Sequence, residues 1–190
     1  MSAAGKAFLA YFYFDFKDTE KQDSRALLSS LLVQLSDHSD VFFDILFSLY
    51  SAHKEGSEKP ANDSMVQCLK KMVTTTGQAP IYIIIDALDE CPNDSGIPSP
   101  REKVLDLVKE LDRLWPRLRL CITSRPDFDI HTALEFRARK KISLHDESGQ
   151  KQDIINYVTS VVHPDRNMMR WPGDDKNMVI EKLSEGADGM

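Results

Sequence analysis

Five consecutive strand-favouring residues, Ile81-Tyr-Ile-Ile-Ile85, narrow the possible folds more than any other feature of the chain. A strand with one wet face alternates apolar and polar residues. An unbroken apolar run instead predicts a strand covered on both faces, as in a helix-flanked parallel sheet. Residues 8–16 (Phe-Leu-Ala-Tyr-Phe-Tyr-Phe-Asp-Phe) and 118–122 (Leu-Arg-Leu-Cys-Ile) read the same way. Between these strands lie segments of helical period. Leu27, Leu28, Leu31, Leu32 and Leu35 form one amphipathic stripe, and residues 41–50 form a second helix. A third is expected to run to about Thr75, capped by Asp63 or Ser64. Ser99, with Pro100 at the first helical position and Glu102 at the third, predicts a capped start for a fourth, which buries Val104, Leu105, Val108, Leu111 and Leu114. Further on, residues 140–144 form a weaker strand candidate. A helix through Ile154, Ile155, Val158, Val161 and Val162 follows, and then a last helix over about 176–183, ending at Gly186.

Strands alternating with helices predict an α/β fold built on a parallel sheet. Ligands of such sheets bind beyond the carboxyl ends of the strands. Function is therefore expected just after Phe16, Ile85 and Ile122.

Composition limits the alternatives. The 190 residues, 42% hydrophobic and 28% charged, suit about one globular domain and not an acidic disordered tail. No apolar run approaches the ~20 residues of a membrane helix, and residues 1–6 lack the apolar core of a signal peptide. Lys+Arg 24 against Asp+Glu 30 leaves a charge of −6, which argues against a general nucleic-acid binder. An aromatic base-stacking platform over residues 11–16 is accordingly set below a buried strand. Cys68, Cys91 and Cys121 form neither a Cys-x-x-Cys pair nor a ligand cluster, which fits a reducing, intracellular setting. The five histidines fall on loops or polar helix faces. With 8 glycines the chain is poor in the residue that phosphate loops need, and Gly5-Lys6-Ala7 is not a Gly-x-x-x-x-Gly-Lys-Ser/Thr loop.

Two strand ends carry chemistry. Ile85 runs into Asp86-Ala-Leu-Asp89-Glu90-Cys91. A carboxylate at the end of a buried strand needs a cation, a water or a donor. Mg²⁺, held by one or two carboxylates together with phosphate oxygens and water, meets that need. Asp86 would hold the metal, and Asp89 or Glu90 would polarise an attacking water. Ala87 would leave space beside them. The plain alternative is a solvated acidic turn. After Ile122 comes Thr123-Ser124-Arg125-Pro126, where Arg125 would reach a terminal phosphate or else pair locally with Asp127 or Asp129.

Residues 81–91 resemble the Walker B motif of NACHT domains in the STAND class of P-loop ATPases, and residues 118–126 look like their sensor 1 strand. Tyr11-Phe-Tyr-Phe-Asp-Phe16, with Arg25-Ala-Leu-Leu-Ser-Ser-Leu-Leu-Val-Gln-Leu35, is similar to the second strand and the helix after it. Asp153-Ile-Ile-Asn-Tyr-Val158 and Leu183-Ser-Glu-Gly-Ala-Asp-Gly-Met190 match the start of the helical region behind the core. The likeness is strongest to fungal proteins with nephrocystin-like N-terminal domains, often joined to ankyrin or WD40 repeats.

The resemblance implies a three-layer parallel sheet of P-loop NTPase (ASCE/STAND) type, strand order 5-1-4-3-2. Residues 1–146 would be a partial nucleotide-binding core and 147–190 the start of a helical subdomain. It further implies a cytoplasmic ATP/ADP switch that binds Mg²⁺, passes signals between effector and repeat domains of a parent chain, and forms homo-oligomers on activation. No nucleic-acid or membrane partner is expected. Asp86 would coordinate Mg²⁺, Asp89 and Glu90 would form the catalytic acidic pair, and Arg125 with Ser124 would contact the nucleotide. The family's first strand and Walker A loop should precede Phe8. Without them the chain is expected to bind ATP weakly or not at all, and both ends look like cuts. Two alternatives stand beside the switch: a nucleotide-free NACHT-like scaffold for protein–protein contacts, and an unrelated Mg²⁺-dependent phosphohydrolase using Asp86, Asp89 and Glu90.

Overall fold

The structure, a computed structural model, describes residues 7–75, 79–94, 96–114, 116–135, 138–143 and 148–186. The chain divides into two compact units, Met1–Ala138 and Arg139–Met190. The first is α/β. Its strands β1 (Phe8–Tyr13), β2 (Ile81–Asp86) and β3 (Leu118–Ile122) form one parallel sheet in the order β1-β2-β3. Ala10 lies opposite Ile83, and Ile83 opposite Leu120.

Helices α1 (Ser24–Ser36), α2 (Asp40–Ala52) and α3 (Asn62–Thr75) link β1 to β2, α4 (Pro100–Asp112) links β2 to β3, and α5 (Phe128–Leu134) follows β3. The starts of α1, α2 and α4 are set by side chains that satisfy otherwise unpaired backbone amides. Asp23 accepts from Ala26 N at 2.8 Å. Ser99 and Glu102 close a reciprocal capping box at 3.1 and 2.7 Å, as the sequence predicts. At α3 the expectation needs correction. The helix begins at Asn62, which places Asp63 and Ser64 inside its first turn, and Asn62 Nδ2 ties that start to Ser24 Oγ at 3.0 Å.

One sheet face is the core. Ala10, Phe12, Ile81, Ile83, Ile85 and Leu118 are buried with the α1 leucines and with Val104 and Leu111 of α4. The opposite face departs from the two-sided burial predicted above. Leu9, Tyr11, Tyr13 and Ile84 are exposed there, and so is Cys121. Strand side chains alternate between faces, and α1 and α4 pack on one of them. The aromatic run tolerates this because its tyrosines are amphipathic. Tyr13 OH accepts from Lys21 Nζ at 3.2 Å, which raises the lysine's pKa, and Tyr82 OH accepts from Arg119 at 2.7 Å. The strand also stops at Tyr13, short of Phe16.

The outer edge of β1 is closed by side chains. Gln34 Oε1 accepts from Tyr11 N at 3.0 Å while its Nε2 donates to Tyr11 O at 2.7 Å, standing in for the peptide group of a further strand. His38 Nε2 contacts Leu9 O at 2.8 Å.

The second unit contains α6 (Ser148–Val162) packed on α7 (Gly173–Gly186). The last helix thus starts earlier than expected. Lys140 to Ser143 is irregular and not a strand, and Leu144 lies outside the described residues. With two lysines and a 59% exposed Ile142, that segment has no apolar face to bury. Among the described residues no helix is long and apolar enough to cross a membrane.

Candidate functional site

The three strands end at one rim, and the sequence-predicted residues gather there as three separate attachments. Asp86 is the exposed last residue of β2. Thr123, just beyond β3, donates from Oγ1 to Asp86 Oδ1 and accepts at that same oxygen from Ala87 N at 3.0 Å. Thr123 N donates to Ile85 O, and Thr123 O accepts from Leu88 N, each at 3.0 Å. One small residue thereby sets the turn after β2. Ala87 adopts φ 53°, in the left-handed region, where its small side chain costs less than a branched one would.

A single 3-10 turn, Leu88–Glu90, holds the later carboxylates. Asp89, with its side chain only 13% exposed, accepts from Arg125 N at 3.0 Å and lies 3.4 Å from Arg125 Nε. Arg125 does not pair with Asp127 or Asp129, the local alternative read from sequence. Its guanidinium is 82% exposed. Glu90 Oε2 accepts from Phe16 N at 3.1 Å and so holds the loop after β1. Ser124 is exposed beside Arg125. Asp86, Asp89 and Glu90 thus tie the turn after β2 to the loops after β3 and β1. Among the described residues no group of three or more His, Cys, Asp or Glu is placed to hold a metal ion.

Beneath this rim sits Arg101, which sequence reading missed. It is 8% exposed. Its Nε donates to Cys91 O at 2.8 Å, Nη2 donates to Asp89 O, and Nη1 meets Asp127 Oδ2 at 2.8 Å and Asp129 Oδ1 at 3.4 Å. One guanidinium therefore fastens the acidic turn to the segment that follows Arg125. A signal was present: Arg101 lies in the first turn of a helix, where the macrodipole disfavours a cation unless acidic partners offset it. Asn93 extends the network, donating to Asp129 Oδ2 at 3.1 Å and accepting from Ser99 Oγ at 2.8 Å. Cys91 closes the base of the turn. It is fully buried, with Sγ 3.2 Å from Gln22 O, and burial pushes its thiol up to about 12.

A single carboxylate, oriented by a hydroxyl at the end of a central strand, is a donor set that a hydrated Mg²⁺ accepts when phosphates complete its shell. Asp86 fits that description. Asp89 and Glu90 are already committed to backbone amides.

These features define a parallel α/β domain with an acidic, arginine-braced rim at the carboxyl ends of its strands. The profile of the family described as Nephrocystin 3, N-terminal matches residues 1–125, about two thirds of the chain, and the protein belongs to that family. No curated protein and no solved structure matches it.

Proposed function

We propose that this chain forms the acidic and sensor half of a nucleotide-dependent signalling switch of the NACHT/STAND type, cytoplasmic and working between other domains of a longer protein. The observation that carries the reading is the contiguous parallel order β1-β2-β3 with Asp86 ending its middle strand. In the order 5-1-4-3-2, strands two, three and four are likewise neighbours. Asp86 would hold Mg²⁺, which when bound with ATP or ADP neutralises phosphate charge. Thr123 keeps that carboxylate aimed at the rim. Arg125, with its exposed guanidinium held by Asp89, would exchange that carboxylate partner for a terminal phosphate, with Ser124 beside it. Glu90 and Asp89, once released from Phe16 N and from Arg125, would orient a water.

The test begins with the transcript upstream of Met1. A Gly-x-x-x-x-Gly-Lys-Ser/Thr loop in frame supports the switch, and an in-frame stop overturns it. In the product that includes such a loop, a fluorescent ATP analogue should bind with Mg²⁺ and lose about tenfold or more in affinity on Asp86→Asn, ~1.4 kcal/mol. Unchanged affinity would remove Asp86 from the metal role.

The nucleotide-free scaffold is the second reading. It is favoured by the engagement of both Asp89 and Glu90 in holding loops. An unrelated phosphohydrolase draws no such support, because Asp86 and Asp89 are engaged by the loop after β3 and Glu90 by the loop after β1.

A further inference from the structure

Helix α2 carries an apolar strip that the core does not use. Phe42 and Ile45 are buried, with Leu46 and Leu49 packed partly buried beside them. Phe43, Phe47 and Tyr50 stand 56%, 55% and 47% exposed. Spacing of i, i+4 and i+7 puts these three on one line of the helix. The rings of Phe43 and Phe47 stack at 6.1 Å with planes 14° apart, and Tyr50 continues the row at 6.2 Å. At 1.5 Å rise per residue the strip is about 10 Å long. Its far end is seated against a turn: Gly56 has φ +87°, and a Cβ there would stand 2.8 Å from Tyr50 Cε2.

Charge is distributed unevenly around the strip. At 100° per residue, Asp40 and Asp44 fall on its solvent flank, on the side away from Phe42 and Ile45. Both are exposed, and Asp40–Ala52 contains no lysine or arginine.

We infer that this face docks an amphipathic, basic helix of a partner protein. Its apolar residues, at matching i, i+3/i+4 and i+7 spacing, lie on the three rings, and its lysines or arginines face Asp40 and Asp44. Exposed aromatic rings are the usual anchors of such contacts. Charge complementarity selects this occupant over two others. A second copy brings the same acidic row and no basic one. An anionic membrane surface accepts Phe and Tyr but repels the carboxylates. The inference concerns α2 alone and does not depend on nucleotide binding at the rim.

The intact chain is titrated calorimetrically with a peptide of about five helical turns, leucines at the contact spacing and lysines between them. A twin carries glutamate for every lysine. The lysine peptide is expected to bind with micromolar affinity and the twin not at all. Phe43→Ser and Phe47→Ser should each weaken binding about tenfold or more. The pair Asp40→Asn and Asp44→Asn should weaken it severalfold, an effect that fades between about 50 and about 500 mM salt. All four positions are exposed, and circular dichroism checks that the variants stay folded. Equal binding of the two peptides, or indifference to Phe43 and Phe47, would overturn the proposal. So would binding to phosphatidylcholine–phosphatidylserine vesicles that Phe47→Ser abolishes, or a dimer in sedimentation that the same change dissolves.

Discussion

Replacing Arg101 by Met tests how the rim is held together. Methionine matches the aliphatic stem of arginine but ends where the guanidinium begins, so the change removes the hydrogen bonds while keeping the packing of the stem. Two kinds of partner are then released. The carboxylates of Asp127 and Asp129 are 41% and 33% exposed, so water recovers them and each pair is worth at most about 1 kcal/mol. The carbonyls of Asp89 and Cys91 lie deeper, and each loses a donor carrying full charge. Bonds of that kind contribute about 1.5–3 kcal/mol, and partial rehydration puts the realistic sum for the whole change near 3 kcal/mol. With a urea dependence of about 2 kcal/mol/M, the midpoint should fall by about 1.5 M. Urea titration followed by far-ultraviolet circular dichroism measures it. Hydrogen exchange adds location: the amides of Leu88, Cys91 and Arg125, which donate to Thr123 O, Leu88 O and Asp89 Oδ1, should exchange faster. Arg101→Lys should recover less than half of the loss, since an ammonium cannot reproduce the planar fork. A midpoint change below about 0.3 M with unaltered exchange would refute the view that Arg101 fastens the acidic turn.

Other expectations follow from the same geometry. Thr123→Val removes a hydroxyl that both donates to Asp86 and accepts from Ala87 N, and should cost about 1–2 kcal/mol in urea unfolding. Ala87→Gly should be neutral to about 1 kcal/mol stabilising, because glycine tolerates φ 53°, whereas Ala87→Val should destabilise by about 2 kcal/mol. The Cys91 thiol is raised by burial from 9.0 to about 12. Below pH 9 both states keep the proton and nothing changes. Above it the unfolded chain ionises first, so the Cys91 contribution to stability should fall by up to about 1.4 kcal/mol per pH unit until about pH 12. Cys91→Ser should make the alkaline decline shallower, while Cys68, also raised by burial, keeps its own share. At pH 8 a thiol reagent should label exposed Cys121 at once and Cys68 and Cys91 only on unfolding. Gln34→Leu strips the cover from the β1 edge and should raise concentration-dependent association in light scattering. Unchanged association would mean that the carboxamide is not what guards that edge.

Hydrophobic pattern was enough to place the three strands and the leucine stripe of α1, and the Ser-Pro-x-Glu signature to place the Ser99–Glu102 cap. Each depends on contacts within a few residues, and such contacts are written in the local order of the chain. The acidic turn and Thr123-Ser-Arg125 were legible as a candidate site for the same reason, since strand ends are where a parallel sheet binds its ligands. What the carboxylates touch was not legible. Asp89 and Arg125 lie 36 residues apart in sequence, and Glu90 and Phe16 lie 74 apart. Only the lateral order of the strands brings these pairs within reach. Arg101 looked like one more charge at a helix start until the fold set two carbonyls and two carboxylates around it. The exposed sheet face shows the limit most plainly. Apolar content tells that a strand wants cover, but which of its two faces receives a helix depends on where the connecting segments pass. Local residues determined the elements and the chemistry at their ends. Tertiary structure decided which side chains are partners and which aromatic faces remain open, because both depend on contacts between segments distant in the chain.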